Sequence, residues 1–357
     1  MVEKMRNFQK KRRLLIWKSV LGGLCLSLVI AGCGKKVTEK ESVQEKYKIG
    51  VLLAYDSPTS TEVFKGMQER LMEYEKKTGD KLELLVETAH GQVALLPEQA
   101  QQLAAEARIL VAISTPALQS ALIATDSLPI IFSSVANPYI VRAGRTAVDH
   151  DPRVTGVCST APIRQVMELI KQVMPAARKI GTIWTPSEIN SEYYLELMRE
   201  ATSELGLEII SQPISGAEDI VQAVQSLVRD RAEILFPVSD NTINANFELV
   251  GKLAEENGLP LFAAFALGAE LGACASMGFD FSEIGLRTAD IVVRIRNGES
   301  PARIPFQYSD RVRFYVNEEA ARKQGVKFSE NIIKKADRLI KTGDQTGNVS
   351  GLTAGSE

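Results

Sequence analysis

Short clusters of hydroxyl, amide and carboxylate side chains recur along this chain, each where a β-branched apolar run ends. They are Tyr55-Asp56-Ser57, Ser114-Thr115-Pro116, Ser133-Ser134, Thr185-Pro186-Ser187 with Asn190, and Ser239-Asp240-Asn241-Thr242. Their chemistry is hydrogen bonding rather than bond breaking. Hydroxyls and amides can hold a small polar molecule, and Asp240, with hydrogen-bonding residues on both sides, suits an ammonium group. The same residue types cap helices, because a Ser or Asp just before a helix accepts from its free N–H groups, so each cluster taken singly is open to that reading too. Catalysis by an activated nucleophile is disfavoured. The chain has two histidines, His90 and His150, and no G-x-S-x-G, G-x-x-x-x-G-K-[ST], H-E-x-x-H or C-x-x-C motif. No enzyme activity, metal or cofactor is expected.

The elements that must position these clusters alternate regularly. Strands are expected at Tyr47–Ala54, Lys81–Glu87, Ile109–Ile113 and Pro129–Phe132, separated by helices at Glu62–Lys77, Pro97–Ala107 and Pro116–Ala124. After a break at His150–Arg153 and a linking strand at Val154–Val157, the rhythm restarts. Helices at Ile163–Val173, Glu188–Leu205, Glu218–Arg229 and Ile243–Glu256 then alternate with strands at Lys179–Trp184, Leu207–Ser211, Glu233–Phe236 and Leu259–Ala263. A strand at Ala273–Asp280, a helix at Phe281–Asn297, a strand at Val312–Val316 and helices near Glu318–Gln324 and Asn331–Ile340 complete the series. Such alternation predicts βαβ units and an α/β fold of two lobes, each a mainly parallel sheet flanked by helices. Ligands of open α/β sheets sit outside the carboxyl ends of the strands, so two lobes facing each other would collect all five clusters in one cleft. Tyr55 and Trp184, at strand ends, are the aromatic residues expected to face it.

The N-terminus addresses the chain rather than folding with it. Lys10, Lys11, Arg12, Arg13 and Lys18 precede an apolar stretch of 13 residues, Ser19–Ala31, too short to span a bilayer. Residues 1–32 therefore read as a secretory signal peptide. Ile30-Ala31-Gly32-Cys33 resembles the lipobox of bacterial lipoproteins, which implies cleavage before Cys33 and a lipid on its thiol. Residues 33–46 form a polar tether, and the Gly-, Ser- and Thr-rich residues 341–357 a disordered tail. The whole chain carries a formal charge of −2, and the signal segment holds seven Lys/Arg against one acidic residue. The remainder is acidic by about −8 and has no general attraction for nucleic acid. Cys158 and Cys274, the cysteines left in the folded part, are open to pairing or to burial as thiols.

From Tyr47 to about Ile340 the chain resembles the substrate-binding proteins of ABC transporters linked to tryptophan and other aromatic amino acids. The resemblance rests on YKIGVLLA at Tyr47, Ala89-His90-Gly91-Gln92, Val111-Ala112-Ile113-Ser114-Thr115-Pro116-Ala117, Val154-Thr155-Gly156-Val157, Pro186-Ser187-Glu188-Ile189-Asn190-Ser191, Ser239-Asp240-Asn241-Thr242 and Met277-Gly278-Phe279-Asp280-Phe281. It implies the two-lobed type I periplasmic-binding-protein fold, with lobes at 47–156 plus 280–310 and 157–279 plus 311–340, hinged near the strands at 154–157, 277–280 and 312–316. It also implies that Ser114 and Thr115 hold a ligand carboxylate with help from Ser187, that Asp240 and Asn241 meet an amino group, and that Tyr55, Ser133, Asn137, Asn190 and Ser239 complete the site. Ala263-Ala264-Phe265 and Asn137-Pro138 depart from the pattern of relatives, which points to a less polar pocket or a different ligand. The implied partners are a small-molecule ligand, an ABC permease with its ATPase, and a membrane reached through the lipid, for an extracytoplasmic monomer that captures an amino acid by closing. A ligand-sensing ectodomain and a nucleoside-binding lipoprotein are the alternatives.

Overall fold

Parallel strand pairing and the helices between strands organise the molecule into two lobes. The computed structural model describes residues 46–309 and 311–341. In chain order the first elements are β1 (Tyr47–Leu53), α1 (Pro58–Thr78), β2 (Leu82–Thr88), α2 (Leu96–Glu106), β3 (Ile109–Ile113), α3 (Thr115–Ala124), β4 (Ile130–Val135) and β5 (Val154–Cys158). There follow α4 (Ile163–Val173), β6 (Lys179–Trp184), α5 (Ile189–Glu204), β7 (Glu208–Pro213), α6 (Ile220–Arg229), β8 (Ile234–Leu235), α7 (Asn241–Ala245), α8 (Phe247–Glu256), β9 (Phe262–Ala263) and β10 (Ala275–Phe279). The last are α9 (Phe281–Arg296), β11 (Gln307–Tyr308), β12 (Val312–Asn317), α10 (Glu318–Lys323), α11 (Glu330–Ile333) and β13 (Arg338–Ile340). The expected signal peptide, the lipid site Cys33, most of the tether and most of the tail lie outside the described residues.

The first lobe is a wholly parallel sheet in the order β2-β1-β3-β4-β5-β11. Successive side chains of β1 enter opposite layers, Ile49, Val51 and Leu53 on one face and Leu52 and Ala54 on the other. The second lobe pairs β7-β6-β8 in parallel. A parallel bridge between Leu235 and Leu261 links these strands to β9-β10-β12-β13, of which β12 runs antiparallel to β10. This is the two-lobed type I periplasmic-binding-protein fold. In each lobe the strand order reverses beside the first strand, between β1 and β3 and between β6 and β8. Those two switch points are where an open sheet leaves room for a ligand.

Details depart from the sequence reading. The expected lobe limit at 156/157 falls inside β5, because Val157 and Cys158 pair with Ser133, Val135, Gln307 and Tyr308 in the first sheet. The chain changes lobes after Cys158, after Phe279 and after Tyr308, so the crossovers are short segments following the strands expected to hinge. The helix expected over Asn331–Ile340 breaks into α11 and β13, since Arg338–Ile340 extends the sheet beside β12. Ile243–Glu256 divides at Asn246 into α7 and α8. Cys158 and Cys274 are both free and buried, and burial pushes each thiol up to about 12.

Helix α9 enters the first lobe from the end of β10 and lies directly against α1. Two glycines make that approach possible. A Cβ on Gly285 would stand 2.1 Å from the Val63 carbonyl oxygen, and one on Gly66 would stand 2.3 Å from that of Ser282. Both obstacles are backbone, so neither can swing away. Gly285→Ala is therefore expected to destabilise by about 1–3 kcal/mol, the usual cost of overpacking. Thermal melting should report a Tm lower by several degrees, and an unchanged Tm would mean that the helices part freely.

Candidate functional site

Between the lobes lies a narrow crevice, with about 30 Å³ open to a water-sized molecule. Thr59, Thr115 and Ser134 border it from the first lobe, and Asn190, Tyr194, Ser239, Asn241 and Asn244 from the second. Ser159, Ala161, Phe279 and Phe281 line it along two of the crossovers. The lining has no charged side chain. It combines hydroxyls and amides with three aromatic rings, and it sits over both switch points.

Ser114, beside the crevice-lining Thr115, has an unusual backbone. It occupies the residue between β3 and α3 with φ 97° and ψ 163°, a backbone region that only glycine enters without strain. Such strain costs about 1–3 kcal/mol and persists where surrounding structure enforces it. Its side chain makes no capping bond to α3, and its buried Oγ has no partner among the described residues. The capping explanation therefore fails for Ser114. Next to this free hydroxyl, Thr115 lines the crevice at the N-terminus of a ten-residue helix. Ser134, at the end of β4, also has positive φ, 55°, and lines the crevice.

Asp240 has the opposite outcome. Its Oδ1 accepts from Ile243 N at 2.8 Å, and its Oδ2 accepts from Ser191 Oγ at 2.7 Å and Thr185 N at 3.1 Å. It caps α7 and ties the ends of β6 and β8 together beneath the crevice wall. Burial first, then the neighbouring Glu188 charge, raises its carboxyl well above the usual range. Glu188 is likewise buried and holds Asn190, Asn241 and Thr242. Thr242 Oγ1 donates to Glu188 at 2.7 Å, which leaves it to accept from Tyr55 OH at 3.2 Å. Tyr55 thus latches the first lobe to the second, and burial, then Glu188, pushes its phenol upward, keeping it a donor.

Of the expected site residues, the crevice gathers Thr115, Asn190, Ser239 and Asn241, while Ser114 is buried beside Thr115 and is not part of the lining. The others lie elsewhere. Ser133 is wholly buried and bonds Thr288 at 2.6 Å on the far side of the sheet, because side chains alternate along β4. Asn137 accepts from Tyr139 N within a turn, and Ser187 is exposed. Trp184 packs against the second-lobe core, and Phe265 meets Phe247 edge-on at 4.7 Å in that core, leaving Ala264 on the crevice wall. Sequence reading placed Ser134 in a strand-end cluster but singled out its neighbour Ser133, and it missed Thr59, Ser159, Tyr194, Asn244, Phe279, Phe281 and Glu188. For Glu188 a signal existed, a carboxylate two residues before Asn190 at a helix start.

Comparison with known proteins identifies the family. The model of a family described as ABC transporter substrate binding protein matches residues 48–340. A tyrosine-binding protein of Clostridioides difficile is 28% identical over 316 residues, covering 87% of this chain and 91% of that one. The structure of an ABC domain in complex with L-Trp from Streptococcus pneumonia aligns at 26% identity with a TM-score of 0.78, covering 83% of this chain and all of its own. A ligand-free, open substrate binding protein with adhesive properties from Clostridium difficile aligns at 27% identity, with a TM-score of 0.63, over 83% of this chain and 99% of its own.

One carboxylate at the lobe boundary titrates near neutrality. Glu62, on α1, is pushed up to about 7 by burial, then by Asp280 and Glu270, against a smaller opposing effect of Lys65. Asp280 pairs with Arg313 at 3.3 Å and caps α9, while Glu270 pairs with Arg338. A carboxyl raised on folding binds its proton more tightly in the folded state, so its contribution to stability increases as pH falls through 7 and levels off near 4.5. Glu62→Gln should therefore raise Tm more at pH 8 than at pH 5. An equal gain at both values, measured by thermal melting, would remove the charge explanation.

Proposed function

The chain belongs to the ABC transporter substrate binding protein family, and we propose that it captures an amino acid with an aromatic or apolar side chain between its lobes for import. The observation that carries the reading is the uncharged crevice with opposite polarity at its two walls. The strained Ser114, Thr115 and the start of α3 offer donors to a carboxylate. The second wall offers amide and hydroxyl groups backed by the carboxylate of Glu188, a field that favours an ammonium group. Tyr194, Phe279 and Phe281 supply apolar surface for the side chain. A zwitterion matches all three features at once. The names of the relatives, one binding tyrosine and one complexed with L-Trp, support the same class.

Capture works by closure. A ligand bonded to both walls binds the closed state better than the open one and shifts the equilibrium toward it. The crevice borders the crossovers at Ser159–Ala161 and Phe279–Phe281, so the ligand bears on the segments about which the lobes rotate. Tyr194 OH donates to Ser159 O at 3.1 Å and accepts from Ala161 N at 3.2 Å, fixing the first crossover. A permease with its ATPase would then distinguish loaded from empty protein by shape. We propose that the protein is an extracytoplasmic monomer held at the membrane by lipid on Cys33, and that it binds without turnover.

A thermal-shift screen of amino acids, nucleosides and sugars tests the ligand class. L-Tryptophan or L-tyrosine should raise Tm by several degrees at concentrations well above Kd. Ser114→Ala should lower that affinity by about tenfold or more, as expected for a lost hydrogen bond to a charged group. A response confined to nucleosides or sugars would overturn the amino-acid assignment. For the anchor, Cys33→Ala is expected to move the protein from the membrane fraction to the soluble one, and persistence in the membrane would exclude the lipid.

A further inference from the structure

The acceptor character of the second wall has an identifiable source. Glu188 is buried and takes part in five hydrogen bonds from three residues. Two of them come from side-chain amides, Asn190 Nδ2 at 3.2 Å and Asn241 Nδ2 at 2.6 Å, both to Oε2. A carboxylate oxygen only accepts, so it fixes which end of each amide turns toward it. The opposite end of each planar amide is then its carbonyl oxygen. Both asparagines line the crevice, and Asn190 Oδ1 is buried with no partner among the described residues. An orphaned acceptor in a crevice wall calls for a donor from the ligand.

We propose that Glu188 is a positioning residue for ligand recognition, orienting the amides of Asn190 and Asn241 so that the crevice presents oxygen atoms to a ligand ammonium group. The proposal rests on the amino-acid reading above and adds its polarity switch. Asp240, the carboxylate first suggested by the sequence for this contact, is occupied by its own three donors and does not reach the ligand. Glu188 does not touch the ligand either. It acts through the two asparagines, and its backbone contacts to Asn241 N at 3.0 Å and Thr242 N at 2.9 Å keep the carboxylate in place.

The test compares an amino acid with the same molecule lacking its ammonium group. Titration calorimetry would measure L-tryptophan and indole-3-propionate on the wild type, Glu188→Gln and Asn190→Leu. The glutamine supplies an N–H where Oε2 stood, opposing the present amide orientation. Glu188→Gln should weaken L-tryptophan by about tenfold or more, a change of roughly 1.4 kcal/mol or greater, and leave indole-3-propionate within about threefold. Asn190→Leu should give the same selective loss without altering the carboxylate, so the proposal stays testable if the first variant folds poorly. Equal losses for both compounds in Glu188→Gln, or full retention of L-tryptophan in Asn190→Leu, would overturn the positioning role. That result leaves the amino-acid reading intact, whereas a wild type deaf to every amino acid would remove the reading and the proposal together.

Discussion

Parallel strands joined by helical crossovers end at a common edge, and every helix that follows a strand begins there. This constraint arranges the rest of the molecule. Each lobe presents a row of strand ends, backbone N–H groups and short polar side chains on one edge, and the two edges face each other across the crevice. Apolar packing inside each lobe supplies the stability, with Ile49, Val51 and Ile109 in one layer of the first sheet and Leu52, Leu110 and Phe132 in the other. The edges themselves are free to carry polar groups that a core would not tolerate.

The two edges solve the problem of buried polarity differently. On the first, strain at Ser114 leaves a hydroxyl unsatisfied and a helix start uncapped by it. On the second, Glu188 and Asp240 are held by surrounding N–H and O–H groups, and both carboxyl groups stay behind the wall. A carboxylate buried with a full set of donors is rigid, and rigidity in a wall preorganises it for its guest. In the proposed capture this contrast gives the crevice a direction, donors on one side and acceptors on the other, with no charged residue in its lining.

Fold class, most element positions and the general place of the site were legible in the sequence because hydrophobic periodicity survives in buried strands such as ILVAI and in amphipathic helices such as α4 and α6. Which neighbour faces the ligand was not. Ser133 and Ser134 are adjacent and chemically alike, yet strand alternation and the register shift between Ser133 and Val135 place one against Thr288 and the other in the crevice. Asp240 and Ser114 both precede helices, and local sequence does not distinguish the one whose side chain caps from the one whose backbone strain prevents it. Phe279 and Phe281 reach the site from a crossover and Tyr194 from α5, and their meeting depends on contacts far apart along the chain. The short strands β8, β9 and β13 likewise owe their existence to neighbours in the sheet rather than to their own few residues.

The two thiols of the folded part lie one in each lobe, and both are shielded from solvent and reluctant to ionise. Thiolate is the reactive form, so alkylating reagents pass them by while the chain is folded. In a chain that starts after Cys33, a maleimide dye pair placed on two new surface cysteines, one on either jaw, would report opening and shutting by energy transfer against a silent native background.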